Sequence, residues 1–142
     1  MNSFWTADVS KTAHLKRVLI LEGSMTTRKA MNAIIDREDR TIIEADDADA
    51  AVAMIKHGLK AQEFGGAGFA AIVIGPSFLH SAGLRLTDTI HVLKFAGAVF
   101  FVVEADSNRD YLAMLDTSKI DCILTFPFKM VDFNDALEGK RF

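Results

Sequence analysis

Five short apolar runs recur along this chain, and each is followed by a stretch with helical spacing. The runs are Val18 to Leu21, Thr41 to Ala45, Ala70 to Ile74, Ala98 to Val103 and Ile120 to Thr125. Short runs that stay apolar without strict alternation mark strands buried on both faces. Behind them, the spacing predicts helices over Met25 to Arg37, from Asp46 to about Leu59, from about His80 to Lys94, from Ser107 to about Leu115, and over Met130 to Leu137. Met31, Ile34 and Ile35 form one apolar stripe, Ala50, Ala53, Met54 and His57 a second, and Leu86, Ile90 and Leu93 a third. Ser24 or Thr26 suits the cap of the first helix. Asp46, Asp47 and Asp49 open the second, where carboxylates complement the positive end of the helix dipole. Gly65-Gly66-Ala67-Gly68 makes Lys60 to Phe69 a loop. Apolar strands alternating with amphipathic helices require a parallel sheet covered on both sides, an α/β, doubly wound (βα)5 domain.

A chain of 142 residues suffices for one domain with its own core. Residues 1–15 lack a clear period and read as an N-terminal tail, with 16–142 as the domain. Phe4 and Trp5 stand out in that tail, either packed back onto the domain or held ready for a partner. Half of the residues are hydrophobic and the net charge is -3, so no basic field suggests nucleic acid. Cys122 is the single cysteine, which excludes a disulfide within the chain and fits a reducing compartment. The longest apolar run, Phe95 to Val103, is far short of the roughly 20 residues of a membrane span. The N-terminus shows no signal-peptide pattern, and a cytoplasmic protein without a cofactor is expected.

In a sheet of this kind, functional loops gather at the carboxyl ends of the strands. Those corners are Glu22-Gly23, Gly75-Pro76, Glu104-Ala105 and Phe126-Pro127. Their order and spacing resemble the CheY-like receiver domain of two-component response regulators, over about residues 17–138. Arg17 to Ser24 resembles the family's first strand, which ends in an acidic pair. Thr27-Arg28-Lys29 continues into the first helix, and Ile43-Glu44-Ala45 resembles the second strand. Ala71 to Gly75 resembles the third strand, which ends in the phosphoacceptor aspartate. Gly83 to Leu86 is similar to the opening of the third helix. Val99 to Ala105 resembles the fourth strand, which ends in Ser or Thr followed by Ala. Thr125-Phe126-Pro127-Phe128 resembles the family's Thr-Lys-Pro-Phe. The resemblance implies a flavodoxin-like, five-stranded parallel sheet in order 2-1-3-4-5.

The departures from that pattern define a vestigial phosphorylation site of Glu22, Gly23, Gly75, Glu104 and Phe126. The acidic pair is reduced to Glu22 beside Gly23. Gly75 stands where the nucleophilic carboxylate belongs and Phe126 where the lysine belongs; Glu104 stands where the hydroxyl belongs if Ala105 aligns with the family's following Ala, and a one-residue shift would put Val103 there. A magnesium ion needs carboxylate oxygens in octahedral array, and Gly23 and Gly75 remove two of them. Glu104 would set a carboxylate against an incoming anion, a repulsion of about 4 kcal/mol near a protein surface at ~4 Å. These losses imply a degenerate receiver, a pseudo-receiver. Glu22 reads as a solvated or hydrogen-bonded carboxylate rather than a cation ligand. Phe126 is expected to cover the emptied site near Gly75 and Glu104, since an apolar ring gains about 25 cal/mol per Å² on leaving water. The bond before Pro127 is expected to be cis, as receivers often have it.

No corner pairs a nucleophile with a base, which argues against an enzyme. His14, His57, His80 and His91 show no metal-ligand spacing. Gly65 to Gly68 precedes a strand, whereas a nucleotide loop follows one. The expected function is a phosphorylation-independent protein-interaction module in bacterial signal transduction. Its partners would be signalling proteins, a histidine kinase or a downstream effector, with a homodimer also open. The family's docking surface maps here to Arg109, Tyr111, Lys119 and Phe128. The alternative is a sensor that binds a small ligand in the vacated site, beside Glu104 and Phe126.

Overall fold

A computed structural model describes residues 16–66, 68–78, 81–105 and 117–139, with backbone alone at 81–84 and 117. Its strands are β1 (Lys16–Leu21), β2 (Arg40–Ala45), β3 (Phe69–Ile74), β4 (Ala98–Glu104) and β5 (Cys122–Phe126). The helices among the described residues are α1 (Met25–Ile35), α2 (Ala48–Glu63), α3 (Ser81–Val92) and α4 (Met130–Leu137). The strands form one sheet in order β2-β1-β3-β4-β5, and every neighbouring pair is parallel. This is the doubly wound parallel sheet that the alternation implied, in the strand order that the resemblance implied. The helix expected over Ser107 to Leu115 lies outside the described residues, as do Arg109, Tyr111 and the segment 1–15.

The strands read apolar throughout because both faces are covered. Leu19, Leu21, Ile72, Ile74, Val99, Phe101 and Val103 face a core built with Ala51 and Ile55 of α2 and Leu86 and Ile90 of α3. Their neighbours Val18, Ile20, Ala71, Val73, Phe100 and Val102 face the opposite core, with Met31 and Ile35 of α1 and Phe133 of α4. The period of two thus sorts each strand between the two layers. Phe133 is fully buried, and its ring centroid lies 4.8 Å from that of Phe100.

Local chemistry fixes the ends. Ser24 caps α1, with the Thr27 N–H donating to its Oγ at 3.3 Å, and Asp47 caps α2 through the Ala50 N–H at 2.7 Å. Thr26 is not the cap. α2 runs one turn beyond the expected stop at Leu59, to Glu63, because its first glycine outside the helix is Gly65, at φ 82°. His57, expected near the inner face of α2, is exposed.

Candidate functional site

β1 and β3 pair in register up to Leu21 and Ile74, so their next residues, Glu22 and Gly75, meet at the carboxyl edge. Glu22 is 1% exposed, a carboxylate fully inside the protein. A buried carboxylate must have its oxygens satisfied. Here the backbone does so. The Ser24 N–H donates to Oε2 at 2.6 Å and the Ser77 N–H donates to Oε1 at 2.9 Å. The first donor opens α1, and the second belongs to the 3-10 turn Pro76–Phe78 that follows β3. Ser77 closes the corner a second time, its Oγ accepting the Gly23 N–H at 2.9 Å. Pro76 suits the first position of that turn because it needs no N–H there.

The Glu22 side chain fills the place where a side chain at residue 75 would stand. A Cβ built on Gly75 would overlap Glu22 Oε1 and come within 2.9 Å of Glu22 Cβ and 3.0 Å of Cδ. Gly75 is therefore required by the buried glutamate, and the two residues form one unit. The space beside Gly75 is taken by Glu22 itself, and the half-buried ring of Phe126 packs against the core shared by α1 and α4, on the same strand face as Leu124. The bond between Phe126 and Pro127 is cis. Glu104 is exposed and is the register partner of Phe126 across β4 and β5.

A cationic network braces the outer side of the corner. Arg28 Nη1 donates to the Glu22 backbone carbonyl at 2.8 Å, and its Nε donates to Glu44 at 2.8 Å. Glu44 also accepts from Lys29 Nζ at 2.9 Å and Asn32 Nδ2 at 2.8 Å. Partial burial pushes the Glu44 carboxyl up, but these three donors outweigh it and hold the group below the usual glutamate range. Sequence reading assigned Glu44 only to a strand and gave Ser77 no role. Ser77 acts through its backbone N–H and its Oγ from 55 and 54 positions away along the chain, and a lone serine after a strand carries no local signal for either contact.

The residues present do not fit a magnesium ion at this corner. Both Glu22 oxygens are committed to backbone N–H groups, and Gly23 and Gly75 bring no side-chain oxygen. Among the described residues, no three His, Cys, Asp or Glu side chains gather as metal ligands. On the expected partner surface, Phe128 is buried against Phe133, with ring centroids 6.2 Å apart, and so belongs to the core rather than the surface. Lys119 pairs with Asp88 at 2.7 Å, at the amino end of β5. No helix among the described residues is long and apolar enough to cross a membrane.

No family model matches the sequence, and no curated protein matches it. Solved structures do match the fold. A CheY-like response regulator receiver domain protein from Methanospirillum hungatei superposes with a TM-score of 0.68 at 16% identity, covering 88% of this chain and 92% of that one. A response regulator receiver domain protein from Clostridium thermocellum gives 0.69 at 12% identity, with 88% and 93% covered. The response regulator TrrA from Thermotoga maritima, solved in complex with Mg(2+)-BeF, gives 0.64 at 16% identity, with 88% and 98% covered. The chain has the receiver-domain fold of two-component response regulators.

Proposed function

We propose that this protein is a pseudo-receiver, a receiver-fold signalling module that works by binding partners and does not accept a phosphoryl group. One observation carries the reading. The position of the acceptor carboxylate is occupied by the side chain of Glu22, buried and hydrogen-bonded to the backbone on both oxygens. A nucleophile must reach the donor, and a carboxylate 1% exposed, with each oxygen held by a backbone N–H, is shielded from it. The fold supports an interaction module, and the fixed corner supports one held in a single state. The partner would be a signalling protein, a kinase or an effector. The face built by β5 and α4 is suited to it, with Ile123 40% and Val131 55% exposed beside a groove of about 410 Å³. The alternative of a ligand in the vacated site loses support, because Glu22 takes the room beside Gly75.

The test is incubation of the purified chain with acetyl phosphate and magnesium, followed by intact-mass measurement at neutral pH. TrrA serves as the positive control for the conditions. No phosphoryl adduct is expected on this chain. A stoichiometric, acid-labile adduct would sink the reading. Gly75→Asp alone is also expected to stay unmodified, since it would set a second carboxylate against Glu22.

A further inference from the structure

At the opposite edge of the sheet from Glu22 lies a cavity of about 620 Å³, lined in part by Ile90, Val92, Lys94, Phe95, Val99 and Lys119. Its floor is apolar. Ile90 and Val99 are buried and Phe95 packs against the same core. Val92 closes α3 and stands 76% exposed, unusual for a branched apolar side chain beside a concave surface. The rim is charged with both signs: Lys94 is exposed, Lys119 Nζ is held by Asp88, and Asp121 stands beside them with its Oδ2 accepting the Val99 N–H.

All strands are parallel, so all of them begin on this edge. β1 begins at Lys16, and residues 1–15 join it there. Only β3 separates β1 from β4, so the two strand starts lie about two spacings of ~4.8 Å apart. Trp5 precedes Lys16 by eleven positions, a reach of up to roughly 36–40 Å at ~3.3–3.6 Å per residue. The chain outside the described structure therefore starts beside the cavity and is long enough to enter it. It also has the matching chemistry. Phe4 and Trp5 bring two aromatic rings to an apolar floor, and an indole face attracts a lysine ammonium.

We propose that this cavity is the docking site of the chain's own amino-terminal segment, with Phe4 and Trp5 seated against Val92 and Phe95 under the Lys94 rim. Tethering favours this occupant over a free peptide, because a short linker holds the rings at about millimolar effective concentration. The site is distinct from the Glu22 corner and does not depend on how that corner behaves.

Trp5 is the only tryptophan in the chain, so its fluorescence reads the contact directly. The experiment compares acrylamide quenching of the full chain with that of a peptide of residues 1–15. The expected result is a blue-shifted emission and quenching several-fold weaker in the full chain. Val92→Glu should raise quenching toward the peptide value while far-UV circular dichroism stays unchanged. Phe64→Ser, at the end of α2 and 80% exposed outside the cavity lining, should leave it as it is. Lys94→Asn removes a rim cation without straining the left-handed turn at φ 59°, and should raise quenching in part even if Val92→Glu fails to fold. All values should hold on dilution. Peptide-like quenching in the wild-type chain would overturn the proposal. So would shielding that ignores both cavity variants, or shielding lost on dilution, which would place the segment on a second copy.

Discussion

Glu22 and Gly75 constrain each other, and the constraint can be measured one atom at a time. Gly75→Ala adds a methyl group where Glu22 Oε1 already sits. Overpacking of this kind costs about 1–3 kcal/mol, and urea denaturation should show that loss. In a Glu22→Ala background the same substitution should cost less, with a coupling of about 0.5–3 kcal/mol in the double-mutant cycle. Equal costs in both backgrounds would mean that the two side chains do not share the space. Glu22→Gln keeps the shape but replaces one acceptor with an NH2 group. One of the two N–H donors, on Ser24 or Ser77, then faces another donor, and stability should fall by about 1–3 kcal/mol. Gly23, Gly75 and Phe126 are legible in the sequence as departures from the pattern that the resemblance implies. The sequence did not reveal what fills the gap. Glu22 was readable as a hydrogen-bonded carboxylate, but its partners are backbone N–H groups, which every residue type except proline possesses. The half-buried ring of Phe126 packs against the core that includes Leu124, while the Glu22 side chain is what occupies the space beside Gly75.

Elements are tied together by two charged groups that the strand pattern did not flag. Arg40 opens β2, yet it is buried. Its Nη1 donates to the Ile35 carbonyl at the end of α1 at 2.9 Å, its Nη2 donates to Asn134 Oδ1 in α4, and its guanidinium lies 5.0 Å from the Phe133 ring centroid. Burial lowers its pKa, and its Nε has no partner among the described residues. Asn134→Ala would leave a second buried donor unpaired. A hydrogen bond to a charged group is worth about 1.5–3 kcal/mol, so the variant should lose that much, and hydrogen exchange should speed up in α4 before other elements. Glu44 ties β2 to α1 through Arg28, Lys29 and Asn32. Because its folded pKa lies below the ordinary value, its contribution is fully present above the ordinary glutamate range and disappears as pH falls through the lowered value. The stability gap between wild type and Glu44→Gln should therefore be widest near neutral pH and narrow as pH falls below the ordinary glutamate range. Element type and order were legible because the apolar period changes from strand to helix at each boundary. The boundaries shifted where a cap or a glycine decided them, as at Asp47 and at Gly65. Arg40 escaped notice because a charged residue at a strand end is ordinarily solvated.

At the scale of the molecule, a parallel sheet with two cores holds its carboxyl edge rigid, and the Glu22 corner sits on that edge, between β1 and β3 at the start of α1. A receiver that switches needs this edge to rearrange when an anion arrives. On the proposed reading the Glu22 carboxylate already fills this corner, so the edge would keep one arrangement and the β5 and α4 face one presentation. The direct measurement is a titration of the isotopically labelled chain with magnesium and beryllofluoride, followed through the amide resonances of Ser24 and Ser77. TrrA, solved with that same complex, calibrates the titration. The account predicts that both amides stay in place through the highest concentration that saturates the control. A saturable shift of the Ser24 and Ser77 signals would show that Glu22 yields the site to a phosphoryl mimic, and would contradict it.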